Sequence, residues 1–92
     1  MTEYKIKRTT AFKRDYKRIK RRGYKLELLW TVIEKLVNDE VLPEKNKDHA
    51  LTGQYSGFRE CHISPDWLLV YKIEEDVLIL TLSRTGSHSD LF

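Results

Sequence analysis

The chain has 92 residues, which is near the lower end of single-domain sizes, so we expect one domain spanning residues 1–92. Its only cysteine, Cys61, excludes an internal disulfide and a cysteine-rich zinc site. No apolar run approaches the roughly 20 residues that a membrane span needs, and the first residues lack the apolar core of a signal peptide, so we expect a cytoplasmic protein with no membrane partner.

The net charge is only +3, but it is unevenly distributed along the chain. Residues 1–25 carry eleven basic and two acidic side chains, whereas residues 26–92 carry six basic and twelve acidic ones. The basic segment predicts a polyanionic partner, which could be nucleic acid, the ribosome or an acidic protein tail. The alternative is a solvated helix face that only keeps the protein soluble.

The first predicted elements are a strand and two helices. Residues 4–8 alternate apolar and basic side chains, as a half-buried strand does. Phe12, Tyr16 and Ile19 recur at helical spacing, after two threonines that can cap a helix and before Gly23, which can end one. A second helix, the main core helix, is predicted from apolar residues at steps of three and four: Leu26, Leu28, Leu29, Trp30, Val32, Ile33, Leu36 and Val37. The short connection at residues 22–24 predicts an antiparallel helical hairpin.

Residues 39–57 have no periodicity and predict a long loop. Three strand-like runs follow, at residues 58–63, 67–73 and 77–82. Their connections, residues 64–66 and 74–76, are short enough to require antiparallel hairpins. The middle run is apolar on both faces and should be the central strand, covered by the helices on one side. The predicted fold class is therefore α+β, with an N-terminal strand and an antiparallel helical hairpin packed on an antiparallel β-meander.

In a meander, the end of the first strand, the start of the second and the end of the third lie at one edge of the sheet. His62, Asp66 with Trp67, and Arg84 occupy these three positions. A three-residue loop at 74–76 would place Asp66 opposite Arg84 and form a salt bridge there. Whether His62 shares their face depends on the turn at Pro65, because a one-residue shift reverses the side chain.

The remaining histidines can reach the same edge. His88 follows Arg84 by four residues, and the loop that carries His49 is long enough to double back. Histidine can serve as base and acid near neutral pH, and arginine can stabilise the negative charge of a phosphorane. Trp67 and Phe92 can stack on unpaired bases. This set suits RNA cleavage without a metal ion or other cofactor, and no close-spaced pair of metal ligands is present.

Each of these residues also has an ordinary interpretation. A single histidine is more often structural or merely exposed, an Asp66–Arg84 pair could be a surface salt bridge, and Trp67 could belong to the core. It is their convergence on one edge that favours a catalytic site.

Several blocks of the second half resemble the YafQ toxins of the RelE superfamily in order and spacing. The blocks are residues 47–53, 57–62 and 65–67 with Tyr71, and 84–88 continuing to residues 91–92. The resemblance implies a RelE-like fold, mRNA cleavage in the ribosomal A site, and neutralisation by an antitoxin of the DinJ or RelB kind in a toxin–antitoxin hetero-oligomer.

The resemblance also implies roles for individual residues. Together with the chemistry above, it makes His88 the general acid and Arg84 the cation that stabilises the transition state. His49, His62 and Asp66 share the roles of base and orienting group. The basic first helix would contact ribosomal RNA through Lys13, Lys17, Arg18 and Arg21.

Two other functions remain open at this stage. One is a non-catalytic inhibitor of a protein target, as the related ParE toxins are, and the other is an inert RNA-binding module that acts through its basic helix alone. Neither of them requires the three histidines to converge.

Overall fold

The computed structural model describes residues 3–92, which form a five-stranded sheet with helices on both faces. The elements in chain order are β1 (Lys5–Arg8), α1 (Thr10–Arg21), α2 (Leu26–Val37), β2 (His49–Ala50), β3 (Arg59–Ser64), β4 (Trp67–Glu74), β5 (Ile79–Gly86) and α3 (His88–Leu91). The predicted α+β class and both predicted long helices are confirmed. Within residues 3–92, no helix combines the length and apolarity needed to cross a membrane.

Helix α1 begins at a capped turn that also ties it to the sheet. The Thr9 hydroxyl oxygen accepts a hydrogen bond from the backbone N–H of Phe12 at 3.0 Å, and the hydroxyl donates to the carbonyl oxygen of Ser83 at 2.8 Å. The cap satisfies an amide that would otherwise lack a partner. The helix ends before Gly23, whose φ of 79° is a conformation that favours glycine.

The strand order is β1-β5-β4-β3-β2, with β1 parallel to β5 and the other pairs antiparallel. Strand β4 is central, as its apolar sequence predicted. The short strand β2 lies in the segment predicted to be a loop, where His49 and Ala50 pair with Glu60 and Arg59 of β3. This pairing fixes His49 at an edge of the sheet.

Each face of the sheet has its own apolar cluster. On one face, Trp67, Leu69 and Tyr71 of β4 pack against the buried residues of α1 and α2. On the other face, the intervening residues Leu68 and Val70 pack against Leu91 of α3 and the half-buried Leu51 and Phe58. Because successive side chains of a strand point to opposite faces, β4 contributes residues to both clusters.

Leu28 and Trp30 were predicted to belong to the core face of α2, and both predictions are wrong. Leu28 is 44% exposed and Trp30 is 37% exposed, and the indole N–H of Trp30 donates to the Tyr16 hydroxyl at 2.9 Å. The buried residues of α2 are confined to a narrower stripe, Leu29, Val32, Ile33 and Leu36.

The turn between β4 and β5 is longer than predicted. It spans four residues, 75–78, and Leu78 adopts a left-handed φ of 55°. Strand β5 consequently runs over residues 79–86 instead of 77–82.

A bulge then shifts the register a second time. Leu82 faces Tyr71 and Arg84 faces Val70, so Ser83 is an extra residue in β5. The predicted Asp66–Arg84 ion pair is therefore wrong, because the longer turn and the bulge together move Arg84 four positions along β4.

Candidate active site

The strand register places the backbone positions of four polar residues on the face opposite α1 and α2, and the guanidinium of one of them, Arg84, reaches Asp15 of α1 from there. Directly opposed residues of antiparallel strands point to the same face. The polar residues concerned are opposed, directly or through a neighbouring strand, to Leu68 and Val70, which belong to the second apolar cluster. The four residues are His49, Glu60, His62 and Arg84. We call this surface the site face.

His62 and His88 meet at the rim of the site face. Their ring centroids are 5.7 Å apart, with the rings tilted by 57°. Asp66 holds the second of these rings, because its Oδ1 lies 2.7 Å from Nδ1 of His88 and accepts the backbone N–H of His88 at 3.1 Å. Two of the predicted histidines and the predicted aspartate are thus brought together, with Asp66 bound to His88 rather than to Arg84.

This arrangement suits proton transfer. The two hydrogen bonds from His88 lower the pKa of Asp66, so the carboxylate stays ionised beside the imidazole. A carboxylate bound at Nδ1 fixes the orientation of the ring and leaves Nε2 for a substrate. Both side chains are largely exposed, so a substrate can reach them.

The short helix that carries His88 is fixed by Asp90. Its Oδ2 accepts the backbone N–H of Ser87 at 3.0 Å, and the Ser87 hydroxyl accepts the N–H of Asp90 at 3.2 Å, which together form a capping box. Arg22, beyond the end of α1, donates to the same carboxylate at 2.7 Å. A Cβ at Gly86 would lie 2.9 Å from Oδ2 of Asp90, so this close approach requires glycine.

We expect Asp90→Asn to destabilise the protein by about 1–2 kcal/mol at pH 7. The hydrogen bonds from Arg22 and from Ser87 lower the pKa of Asp90 from 3.8 to about 2. Because the pKa is lowered in the folded state, the stabilisation is complete above about pH 4 and is lost as the pH falls towards 2. Urea unfolding at several pH values measures this contribution.

Asp76→Asn, in the exposed turn between β4 and β5, is the matched control and should behave like the wild type. If Asp90→Asn kept the wild-type loss of stability between pH 4 and pH 2, Asp90 would not be its source.

Arg84 is held by Asp15 of α1. Its Nε and Nη2 donate to the two oxygens of this carboxylate at 2.6 and 3.2 Å, and the Thr85 N–H donates to Oδ2 at 3.1 Å. Asp15 is only 1% exposed, whereas 27% of the Arg84 side chain remains accessible. The hydrogen bonds that Arg84 donates to Asp15 raise the pKa of Arg84, so the guanidinium is a fixed cation next to the site face.

Two aromatic residues of the same region contact each other. The ring of Tyr55 meets Phe92 edge-on at a centroid distance of 5.6 Å. Phe92 is 60% exposed, so its ring is accessible as predicted for a base-stacking residue.

Trp67 does not fit its predicted role. It is only 4% exposed, packs edge-on against Tyr24 at 4.9 Å and donates its indole N–H to the Thr85 hydroxyl at 3.0 Å. Successive side chains of a strand point to opposite faces of the sheet. Trp67 is one residue before Leu68, which points to the site face, so Trp67 points towards the helices. Trp67 is therefore a core residue, and the prediction that it stacks on RNA is wrong.

His49 lies on the site face in the edge strand β2, opposite Glu60. Its Nδ1 lies 2.7 Å from the carbonyl oxygen of Lys47, and its Nε2 lies 3.6 Å from Glu60. Half of the side chain is exposed.

The basic residues of α1 divide into two groups. Lys13, Lys17 and Arg21 are exposed, as predicted. Arg18 is instead partly occupied by ion pairs, at 3.6 Å from Asp15 and 3.8 Å from Asp90.

Three acidic residues of the site were missed by the sequence analysis: Asp15, Glu60 and Asp90. A signal existed for Asp15, because it is a lone carboxylate within the apolar stripe of an otherwise basic helix. No comparable pattern marks the other two.

No group of three or more His, Cys, Asp or Glu side chains in residues 3–92 is arranged to hold a metal ion. The buried Cys61 is not a candidate nucleophile, since burial raises its pKa to about 12.

The site belongs to a fold seen in several bacterial toxins. The chain is 33% identical, over its whole length and 99% of the relative's, to the mRNA interferase toxin YafQ of Escherichia coli strain K12. A metal-bound toxin from Helicobacter pylori is 43% identical and superposes with a TM-score of 0.91, covering 97% of this chain and 99% of that one. One chain of the E. coli DinJ–YafQ toxin–antitoxin complex is 33% identical with a TM-score of 0.89, covering 98% of each chain.

Fold and site together therefore define a toxin of the type II toxin–antitoxin class. Residues 4–92 match the family described as bacterial toxin of type II toxin–antitoxin system, YafQ, and the chain belongs to this family.

Proposed function

We propose that this chain inhibits translation by cutting mRNA in the ribosomal A site, through metal-independent attack of the 2′-hydroxyl on the neighbouring phosphate. The chain is an endoribonuclease of the mRNA interferase kind, the activity for which its E. coli relatives are named. The observation that carries the proposal is the imidazole of His88, held by Asp66 and facing His62.

The two imidazoles divide the proton transfers. His62 removes the proton from the 2′-hydroxyl as its oxygen forms a bond to phosphorus. Nε2 of His88 gives a proton to the 5′-oxygen as the bond between that oxygen and phosphorus breaks, which leaves a 2′,3′-cyclic phosphate. Asp66 orients the ring of His88.

Arg84 supplies the fixed positive charge. The phosphorane carries one more negative charge than the phosphodiester, so a cation that is already in position stabilises the transition state most. Asp15 occupies one side of the guanidinium, and the accessible part remains for phosphate oxygens. Phe92 stacks on a neighbouring base, and His49 contacts the RNA from the edge strand.

The partners follow from the family and from the charge distribution. Lys13, Lys17, Arg18 and Arg21 contact ribosomal RNA, while mRNA occupies the site face. The natural inhibitor is a cognate antitoxin of the DinJ kind, by analogy with the E. coli complex.

The end groups of the cut mRNA test the chemistry. We expect a cyclic phosphate or 3′-phosphate upstream and a 5′-hydroxyl downstream of each cut that is made on translating ribosomes. Enzymatic end labelling distinguishes these groups. A 3′-hydroxyl would indicate attack by activated water, and equal cleavage of ribosome-free mRNA would remove the ribosome from the proposal.

A further inference from the structure

The basic side chains on the two flanks of α1 differ in whether they form ion pairs. On the flank towards β5 and α3, Arg18 is paired with Asp15 and Asp90, and Arg22 beyond the helix end is paired with Asp90. On the opposite flank, Lys13 and Lys17 form no ion pair within 4.0 Å with any carboxylate of residues 3–92. The positive charge of this second flank is therefore uncompensated.

A pocket of about 340 Å³ opens on this second flank. Its volume is in the range of roughly 300–1,000 Å³ that is typical of ligand sites. Three cations and three aromatic rings line it: Arg8, Lys13, Lys17, Phe12, Tyr16 and Trp30. We call this the aromatic pocket.

Tyr16 and Trp30 supply the accessible aromatic surface of the pocket, because Phe12 is only 1% exposed. Trp30 is 37% exposed, and its indole N–H is already used by the Tyr16 hydroxyl at 2.9 Å. The two rings are edge-to-face with centroids 6.1 Å apart. A partly exposed indole ring beside cations without ion pairs is a combination that holds single-stranded nucleic acid, because bases stack on the ring and phosphates contact the cations.

The shape of the pocket favours a nucleotide over a protein segment. An amphipathic helix needs a groove with several anchor positions in a row, whereas this pocket is formed by six residues around one opening. Its lining contains no carboxylate that would repel a phosphate.

We propose that the aromatic pocket binds one unpaired nucleotide of single-stranded RNA, with the base on Trp30 and the flanking phosphates on Arg8, Lys13 and Lys17. It is a second RNA-binding site, apart from the site face. The inference deepens the proposed function, on which it rests, by naming where RNA is held outside the cleavage site.

Tryptophan fluorescence provides a direct test, because the chain has two tryptophans and Trp67 is buried. The probe is an eight-nucleotide 2′-O-methyl oligoadenylate, which cannot be cut by 2′-hydroxyl attack. We expect this probe to quench the emission of the wild-type chain. Trp30→Phe keeps a stacking ring, so it should retain most of the affinity while losing the quenching.

Trp30→Ala should weaken binding about tenfold or more, since stacking contributes roughly 1–3 kcal/mol per base. The matched control is Leu28→Ala, at a position on the same helix that is 44% exposed and outside the pocket lining, and it should bind like the wild type. Replacing Lys13 and Lys17 together by alanine should lower the slope of log affinity against log salt by about 1.4, or about 0.7 for each phosphate contact.

Equal binding by the Trp30→Ala and Leu28→Ala chains would overturn the proposal. Quenching by polyglutamate but not by RNA would also overturn it and would assign the pocket to an acidic protein. A chain that binds RNA through Trp30 but cuts no mRNA contradicts the proposed function alone, whereas one that cuts mRNA without Trp30-dependent binding contradicts only this inference.

Discussion

Replacing His88 with alanine is expected to reduce mRNA cleavage by about 10²- to 10⁴-fold, the usual contribution of a positioned acid or base. The loss should be large because a carboxylate orients the imidazole of His88, at 2.7 Å from Asp66. Its side chain is 54% exposed, so the change should leave the fold intact. Cleavage on purified translating ribosomes and growth arrest on expression both measure the effect.

The matched control for this experiment is Ser89→Ala, the next residue of α3, which is also exposed. It should cut mRNA at nearly the wild-type rate. Ribosome binding should persist in the His88→Ala chain, because the basic helix is unchanged. If growth arrest survived the loss of His88, a ParE-like inhibitor or an inert RNA-binding module would replace the nuclease.

Replacing Asp15 with alanine should lower the free energy of unfolding by about 2–4 kcal/mol. The change leaves the Thr85 amide and the Arg84 guanidinium without their acceptor at a site where the carboxylate is 1% exposed. Arg84 can turn towards water in this variant. The loss of stability should therefore lie near the lower end of the range for breaking a buried ion pair. For a domain of this size, the melting temperature should fall by about 10–20 °C.

Lys20→Ala, an exposed position on the same helix, serves as the control and should change stability by less than about 0.5 kcal/mol. Below its melting temperature, the Asp15→Ala chain should also cut mRNA more slowly, because Arg84 is no longer held in place. Unfolding of this variant at the wild-type urea concentration would show that the Asp15–Arg84 pair does not support the fold.

The elements of the fold were predictable because each has a local signal. Apolar periodicity defined both long helices, and the doubly apolar sequence of residues 67–71 identified the central strand. The short hairpin connections predicted that His62 and Asp66 lie at one edge of the sheet within reach of His88, where the structure also has them, although the face of His62 was left open.

The pairing within the site was not predictable, because it depends on register. Leu78 adopts a left-handed conformation that a leucine does not predict, and the bulge at Ser83 contains no glycine that would indicate it. These two features put His88, rather than Arg84, beside Asp66. Arg84 instead donates a hydrogen bond to Asp15 of α1, which lies 69 residues earlier in the sequence.

The parallel pairing of β1 with β5 joins segments that are far apart in sequence, Lys5 with Ile79 and Arg8 with Leu82. During synthesis β1 emerges early, and its backbone has no partner until residues 79–82 follow, since non-local strands pair only once both have been made. Arg84 and His88 come later still. A nascent chain that has not reached these residues therefore lacks both the pairing of β1 and the residues that we propose cut mRNA, so it can be neither fully folded nor toxic before they are made.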